Sequence, residues 1–448
     1  MTFSKILIRN AKVVNDNQIF DFDLLIHGNR IEKIATNITS SSEMEVFDAK
    51  GKYIIPGLID DQVHFREPGL TYKACIETES KAALAGGITS FLEMPNTQPQ
   101  TTTKIEWEEK NKRAAATSYA NYAFMFGGTN DNLDEILALD TKRVPALKLF
   151  LGSSTGNMLV DNPEVLKSIF SRTKLVIAVH CEDEWTIQKN LKAAQQKYGN
   201  EIPISEHPII RSEEACYLSS SKAVTLAKET GARLHVFHIS TERELGLFRN
   251  DIPLEEKKIT AEVCTHHLWF SSDDYLEKGT RIKWNPAVKT KADRTALWDA
   301  LNNDLLDVLA TDHAPHTELE KNQSYIKAPS GGPLVQHALP ALLTAFHRGK
   351  ITLEKIVQKA CHNPAILFDV KDRGFLREGY FADLVVLDID KTFKVVKDDL
   401  LYQCGWSPFE GTQFRGAVER TLLNGQWVFK DGMVHSDSAA MELTFDRT

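Results

Sequence analysis

The chain has 448 residues, of which 42% are hydrophobic and 25% charged, an ordinary composition for a globular protein. Its formal net charge of -8 argues against a nucleic-acid-binding surface. No apolar run approaches the roughly 18 residues of a membrane span, and the N-terminus lacks the apolar core of a signal peptide. The six cysteines include no Cys-x-x-Cys pair. We therefore expect a reduced, cytoplasmic protein without membrane contact.

Both ends of the chain have the pattern of β structure. Residues 5–14 and 23–35 read as two strands around a turn, and residues 374–389 and 414–434 read similarly. Asn424–Gly425 is a strong hairpin signal. We expect a small β-sandwich domain, residues 1–54 plus 366–448, with a second domain, residues 55–365, inserted between its two parts.

Eight short apolar runs recur in the middle of the chain, with candidate helices between most of them. They are YIIPGLID (53–60), TSFLEMP (89–95), YAFMFG (122–127), ALKLFLG (146–152), LVIAVH (175–180), LHVFHIS (234–240), ITAEVC (259–264) and LDVLATD (306–312). Eightfold strand–helix alternation predicts an α/β fold, a (β/α)8 barrel of the TIM type. Such barrels place their chemistry at the C-terminal ends of the strands.

Polar residues suited to chemistry occupy those expected ends. They are His64, Asn96, Lys148, His180, His238, His266, His267 and Asp312. A mid-strand lysine between two leucines is costly to bury unless it is paired or neutral, which favours a pocket role for Lys148 over a surface one. Two-residue alternation places His238 on the face of Leu234 and Val236, and it leaves His235 on the other face as a core histidine.

Together these residues predict a metal centre. Three histidines, an aspartate and an inward lysine on five strands can hold one or two divalent ions, most simply zinc. A metal lowers the pKa of bound water from about 15.7 to roughly 7, and Asp312 can then accept and pass on the proton. The chemistry indicated is metal-assisted hydrolysis.

The motifs that contain these residues resemble the amidohydrolase superfamily and, within it, the dihydroorotases. The motifs are VHFREPG (63–69), MPNT (94–97), KLFLGSS (148–154), VHCED (179–183), HIST (238–241), HHL (266–268), WNP (284–286) and ATDHAPH (310–316), and the resemblance covers essentially the whole chain. It implies the reversible, zinc-dependent cyclisation of N-carbamoyl-L-aspartate to (S)-dihydroorotate in de novo pyrimidine (UMP) biosynthesis. A metal-bound hydroxide is then the nucleophile, and Asp312 the general base and acid.

The resemblance also implies a role for each site residue. His64 matches a ligand of the first metal, and Lys148 a carboxylated lysine that bridges two zinc ions. His180 and His238 match ligands of the second metal, and Asp312 is a ligand as well as the proton carrier. For the substrate, the resemblance implies a carboxylate clamp and a ring contact: Arg66, Asn96 and His316 form the clamp, and Asn285 contacts the ring. It also implies a homo-oligomer, a dimer, that acts on a small molecule.

Two departures from the family pattern keep alternatives open. Gln62 replaces the first histidine of the His-x-His pattern and is a weaker ligand, so the first metal is weak, absent or held with help from Asp60 or Asp61. Lys289 stands where the family often has arginine, and it keeps the charge but not the planar fork. The alternatives are a hydantoinase- or allantoinase-type cyclic amidase and a non-catalytic, ligand-depleted partner protein.

Overall fold

The computed structural model describes residues 5–152, 158–435 and 439–447. It opens with five strands, β1 (Lys5–Asn15), β2 (Gln18–His27), β3 (Arg30–Ala35), β4 (Met44–Asp48) and β5 (Tyr53–Pro56). β1 pairs antiparallel with β2, and its two halves run parallel to β4 and to β5. A bulge between Ile8 and Ala11 lets one strand serve both neighbours, because the bulge bends the strand.

The middle of the chain forms a barrel of parallel strands. They are β6 (Leu58–Val63), β7 (Ile88–Glu93), β8 (Asn121–Phe124), β9 (Phe126–Gly127), β10 (Ala146–Phe150), β11 (Val176–His180), β12 (Leu234–Val236), β13 (Ile259–Cys264) and β14 (Val308–Ala310). β8 and β9 are two pieces of one barrel strand, separated by Met125. The barrel closes between its first and last strands, where the His64 N–H donates to the His313 carbonyl at 2.7 Å. The predicted (β/α)8 barrel is confirmed.

Helices follow most of the barrel strands. The described α-helices are α1 (Ile76–Ala85), α2 (Lys104–Thr117), α3 (Leu133–Leu137), α4 (Pro163–Arg172), α5 (Glu184–Tyr198), α6 (His207–Ile210), α7 (Glu213–Thr230), α8 (Thr265–Trp269), α9 (Tyr275–Lys278), α10 (Lys291–Asn302), α11 (Glu318–Lys321), α12 (Ala338–His347), α13 (Leu353–Val357) and α14 (Asn363–Leu367). The ends of α7 follow from signals in the sequence. The Ser212 hydroxyl caps its first turn, and Gly231 ends the helix in the left-handed conformation. In the described parts of the chain, no helix combines the length and apolar character needed to cross a membrane.

Four C-terminal strands return the chain to its first sheet. They are β15 (Leu384–Lys394), β16 (Gln413–Leu423), β17 (Gln426–Lys430) and β18 (Met433–Val434). β15 pairs antiparallel with β5, which completes a nine-stranded sheet that contains both ends of the chain. The predicted small β unit built from both ends is confirmed, and Asn424–Gly425 is its β16–β17 turn. The domain limits after residues 54 and 365 stay a prediction.

One predicted strand is two strands of different sheets. The run at 53–60 contains β5, which belongs to the terminal sheet, and the beginning of β6, which belongs to the barrel. Gly57 separates them. A Cβ atom on Gly57 would lie 2.1 Å from Oγ1 of Thr89, so only glycine allows the chain to pass from one sheet to the other here.

Candidate active site

The C-terminal ends of the barrel strands surround a cavity of about 770 Å³. The structure brings the proposed metal ligands and substrate-binding residues to its wall: Gln62, His64, Arg66, Asn96, Lys148, His180, His238, Asn285, Asp312 and His316. Tyr72, Lys73 and Trp284 also line it, although the sequence analysis did not single them out. One cavity therefore contains both the expected metal ligands and the expected carboxylate clamp.

Three of these residues have backbone angles that side-chain-bearing residues rarely adopt. The φ angles are 67° at Arg66, 42° at His238 and 49° at Asp312. Positive φ is uncommon outside glycine and asparagine or aspartate, and it persists where the surrounding structure enforces it. All three lie just beyond barrel strands, so the strain aims their side chains into the cavity.

His238 points into the cavity, although two-residue alternation along β12 would place it on the opposite face of the strand. Leu234 and Val236 pack outward against the helix layer, whereas Phe237 faces the barrel interior. The expectation that His238 shares the face of Leu234 and Val236 is therefore wrong. The positive φ of His238 breaks the alternation and turns its ring inward. His235 lies on the inner face and contacts two carboxylates, so it is not a featureless core residue.

His180 and His238 present facing ring nitrogens. Nδ1 of His180 lies 3.0 Å from Nε2 of His238. Burial lowers the pKa of His180, and burial together with the neighbouring His180 ring holds the pKa of His238 well below its usual range. Nε2 of His180 lies 3.1 Å from a carboxylate oxygen of Glu182, which Arg211 also binds. The lowered pKa values favour the neutral form of both rings, the form in which imidazole binds a metal, and Glu182 contacts one of them.

His64 follows β6 and Asp312 follows β14, and their side chains meet where the barrel closes. Nδ1 of His64 lies 2.8 Å from Oδ1 of Asn96, and its Nε2 lies 3.4 Å from Oδ1 of Asp312. Burial, then the charges of Arg66 and Lys148, hold the pKa of His64 well below its usual range. Burial raises the pKa of Asp312 well above its usual range, and the Glu262 carboxylate adds to this shift. Asn96 therefore contacts the His64 ring.

Lys148 is buried with a free amine. Its Nζ has no hydrogen-bond partner among the described residues, and it lies 4.8 Å and 4.2 Å from the ring centroids of Phe150 and Phe237. Burial lowers the pKa of Lys148 to about 7, so much of it is neutral near physiological pH. A buried amine without a partner is costly unless it is neutral, modified or paired with something further.

This donor set fits a metal ion. It contains the imidazoles of His180 and His238, whose nitrogens face each other, together with the His64 imidazole, the Asp312 carboxylate and the unpaired Lys148 amine. Zinc accepts this mixture of nitrogen and oxygen donors. Gln62 offers only an amide oxygen, which accepts from Sγ of Cys264 at 3.5 Å. Asp60 gives no help at this position, because its carboxylate binds the Thr311 hydroxyl at 2.6 Å.

A second group of possible ligands was not predicted as a set. Within the described ranges, Asp61, His235 and Glu262 form a buried group whose ligand-type atoms all lie within 4.8 Å of one another. The sequence analysis treated Asp61 only as a helper of Gln62. The one signal in the sequence was the unusual doubling Asp60–Asp61 before Gln62, which gives no indication of the partners.

The cationic side of the cavity is built around His316. Nη2 of Arg66 lies 3.0 Å from Nε2 of His316, and Nε of Arg66 donates to the Pro315 carbonyl at 3.0 Å. Nζ of Lys73 lies 2.9 Å from Nδ1 of His316. Burial, then the charges of Arg66 and Lys73, hold the pKa of His316 well below its usual range. A neutral imidazole has one donor and one acceptor nitrogen. Nε2 also lies 3.0 Å from the Ser330 carbonyl, so Nε2–H donates to that oxygen, Nδ1 accepts from Lys73, and Nη2 of Arg66 lies beside the ring at one edge of the cavity.

Several other residues noted in the sequence have structural contacts. Oδ1 of Asn285 is buried and has no hydrogen-bond partner in the described parts of the chain, so it is available to a ligand. His266 stacks on Trp284 at 4.4 Å, and His267 contacts the Pro286 carbonyl at 3.2 Å, both outside the cavity wall. Lys289 donates to the Ala287 carbonyl. Ser153 and Ser154 of the KLFLGSS motif lie outside the described residues.

Comparison with known proteins decides the family. The model of the Amidohydrolase family matches residues 53–428, which include the whole barrel and most of the terminal sheet that follows it. The chain belongs to the amidohydrolase family. This amidohydrolase is accordingly a hydrolase, and members of its family are generally metal-dependent.

Full-length relatives of this amidohydrolase have several names. A dihydroorotase from Halobacterium salinarum is 34% identical over 410 residues, covering 90% of this chain and 92% of that protein. An allantoinase from Desulfitobacterium hafniense is 31% identical over 451 residues, covering 99% of both. The solved L-hydantoinase (dihydropyrimidinase) from Arthrobacter aurescens superimposes with a TM-score of 0.92 at 28% identity, covering 98% of this chain and 99% of that one.

Proposed function

We propose that this hydrolase acts on cyclic amides and, specifically, that it is a dihydroorotase, interconverting N-carbamoyl-L-aspartate and (S)-dihydroorotate in pyrimidine biosynthesis. The observation that carries the proposal is the contact between Arg66 and His316 in the same cavity as the metal-type donors. Dihydroorotate carries a carboxylate on its ring, and hydantoin and allantoin do not. A buried guanidinium has five donors in a planar fork that suits such a carboxylate.

The proposed metal is zinc, held by His64, Lys148, His180, His238 and Asp312. We further propose that Lys148 is carboxylated and bridges two ions, with Gln62 as a weak ligand of the first, or that a single ion is bound because Gln62 is weak. When bound, zinc supplies Lewis-acid polarisation of the reacting groups. The buried, unpaired amine of Lys148 supports carboxylation, since the modification would give that position an anionic partner for cations.

Asp312 is the proposed proton carrier. In the hydrolytic direction its carboxylate accepts a proton from the attacking water and delivers it to the ring nitrogen that leaves the carbonyl. In the cyclising direction the same oxygen takes the proton from the attacking nitrogen and delivers it to the carboxyl oxygen that leaves as water. Burial and the Glu262 carboxylate raise the pKa of Asp312, and a raised pKa makes the carboxylate a stronger base. Lys148 and Arg66 oppose that shift.

The remaining groups orient the substrate. Arg66, Asn96 and His316 bind its carboxylate, and Oδ1 of Asn96 also contacts the His64 ring. The free Oδ1 of Asn285 accepts from a ring N–H. We also propose that the protein works in the cytoplasm as a homodimer, on this small molecule and without nucleic acid or membrane.

A comparison of substrates tests the proposal. Purified protein is assayed side by side with dihydroorotate, hydantoin and allantoin, using Asp312→Asn as the inactive reference. We expect turnover of dihydroorotate that Asp312→Asn abolishes with the fold intact. Preference for hydantoin or allantoin would instead favour a related cyclic amidase, the alternative to which the allantoinase and hydantoinase relatives point. Absence of all turnover and of bound zinc would favour a non-catalytic protein, for which Gln62 is the one argument.

A further inference from the structure

A compact group of charged side chains lies inside the barrel, one layer below the cavity. Asp61 is on β6, His235 on β12 and Glu262 on β13, and none of the three is exposed to solvent. Nε2 of His235 lies 3.2 Å from Oδ2 of Asp61 and 3.7 Å from Oε2 of Glu262. None of these side chains lines the cavity, so the group is separate from the proposed active site.

The ligand-type atoms of the group contact one another as an ion pair but make no well-aligned hydrogen bond to any described residue. In the described ranges, neither oxygen of Asp61 has a hydrogen-bond partner, and the same holds for Oε2 of Glu262 and Nε2 of His235. Buried carboxylate oxygens left in this state are costly. An ion at the centre of the group would satisfy all of them at once.

The opposite atoms of the same side chains are held in place. Nδ1 of His235 lies 2.8 Å from Oγ1 of Thr260. Oε1 of Glu262 accepts from the His238 N–H at 3.2 Å and from Sγ of Cys264 at 3.1 Å. Such outer contacts fix the tautomer and direction of metal ligands. They leave Nε2 of His235, Oε2 of Glu262 and the Asp61 carboxylate facing one another.

The charges of the group also point to a cation. Two carboxylates and a neutral imidazole sum to two negative charges, which one divalent ion balances. A proton on His235 is the competing solution. Burial alone lowers the pKa of His235, but Asp61 and Glu262 outweigh it and raise the pKa to about 9. That proton balances one carboxylate, and burial and the Asp61 charge raise the pKa of Glu262 to about 7. A divalent ion that displaces the proton would balance both carboxylates as anions.

We propose that Asp61, His235 and Glu262 bind a divalent transition-metal ion of the zinc type inside the barrel, distinct from any ion in the cavity. One imidazole and two carboxylates are an accepted ligand set for such an ion. The site goes beyond the proposed dihydroorotase activity and does not depend on it. Asp61 immediately precedes Gln62, whose amide stands in the cavity wall in place of an imidazole.

Zinc content tests the proposal. Wild-type protein, Asp61→Asn and the control Asp60→Asn are dialysed against Zn²⁺ and then against metal-free buffer, and zinc is counted per chain by mass spectrometry. Asp60 is the matched control because it is equally buried and adjacent but binds Thr311. We expect Asp61→Asn to retain one equivalent less than wild type, and Asp60→Asn to retain the wild-type amount. Equal zinc in Asp61→Asn and wild type would overturn the proposal.

A second measurement covers the case in which Asp61→Asn does not fold. Anomalous diffraction from wild-type crystals at the zinc edge should show a peak about 2.0–2.2 Å from Nε2 of His235 and from both carboxylates. A map without that peak overturns the site. His238→Gln separates this outcome from failure of the proposed function, because it removes a cavity ligand and should leave the inner equivalent bound. If His238→Gln loses that inner equivalent as well, all of the bound zinc lies in the cavity and the inner site is overturned.

Discussion

Arg66 and His316 come from the first and last strands of the barrel and meet with Nη2 and Nε2 3.0 Å apart. The loops that follow β6 and β14 therefore share one binding edge, where the barrel closes. Under the proposed function, the side chain at position 66 is a determinant of substrate choice.

Arg66→Lys should weaken the use of dihydroorotate. Lysine keeps the charge but loses the planar fork, so kcat/KM should fall about 10- to 100-fold, the effect of losing one charge-assisted hydrogen bond. Turnover of hydantoin, if detectable, should change little because hydantoin has no carboxylate. Steady-state kinetics with both substrates check this, with Arg113→Lys on the exposed face of α2 as the control. Equal losses for both substrates would argue against a clamp.

Glu182→Gln should weaken metal binding although Glu182 is not itself a proposed ligand. Glu182 is buried, contacts Nε2 of His180 and is bound by Arg211. Although burial alone would raise the pKa of Glu182, Arg211 and His180 lower it to about 2, so the residue is an anion throughout the working pH range. Its loss should reduce zinc affinity about 10- to 100-fold.

Competition with a chromophoric chelator measures that affinity. Asp183→Asn is the matched control, because Asp183 is the next residue but caps α5 by accepting from the Thr186 N–H at 3.0 Å. The control should keep wild-type zinc affinity even if it unfolds at a lower temperature. Unchanged affinity in Glu182→Gln would mean that His180 is oriented by its other contacts.

Gln62→His should raise metal affinity in the cavity. Imidazole is a better zinc ligand than an amide oxygen, and residue 62 already lines the cavity beside the other donors. Zinc titration of the metal-free protein checks this, with Gln98→His on the exposed rim of the cavity as the control. If affinity does not rise, the first metal is held without residue 62 or is not used.

His337 should make stability depend on pH. Burial lowers its pKa to about 3, and its Nδ1 lies 3.0 Å from the Tyr402 hydroxyl. An unfolded histidine has a pKa of about 6.5, so below that pH the unfolded chain binds a proton that the folded chain does not. This contribution is complete above about pH 6.5 and is lost as the pH falls towards 3, at about 1.4 kcal/mol per pH unit.

Urea denaturation at several pH values measures the effect. Between pH 6.5 and 5.5, wild type should lose about 1 kcal/mol more of its free energy of unfolding than His337→Gln does. Substitution of His27, whose side chain is 57% exposed, should leave the wild-type slope unchanged. Parallel slopes for wild type and His337→Gln would show that residue 337 is not the source.

Gly425→Ala should destabilise the terminal sheet more than Gly432→Ala. Both glycines have nearly equal positive φ angles, 78° and 77°. A Cβ on Gly425 would lie 1.9 Å from the Gly28 carbonyl oxygen, whereas one on Gly432 meets nothing within 4 Å. Gly432→Ala should cost about 1 kcal/mol for its backbone conformation, and Gly425→Ala about 1–3 kcal/mol more because the Gly28 backbone must shift. Equal losses in urea denaturation would contradict this contact.

The barrel could be predicted from sequence because its strands are short apolar runs, most of which contain or precede a polar residue suited to chemistry. The same pattern predicted that Lys148 faces a pocket, because the leucines on either side of it place it within a buried strand. Alternation failed at His238, where a positive φ reverses the side-chain direction. It also could not reveal Asp61 as a partner of His235, because the β6–β7 register shifts between Asp60 and Val63. Such irregularities depend on contacts between distant strands.

Only Gly57 separates the terminal sheet from the barrel strand that leads to His64. Its N–H donates to the Asp383 carbonyl at 2.9 Å, and the Thr89 side chain leaves it no room to move. Strain applied to the terminal sheet, by a fused tag or an attached protein, would therefore be transmitted through Gly57 to β6 and the wall of the cavity. Turnover should respond to strain in the terminal sheet even though none of the described strands of that sheet lines the cavity.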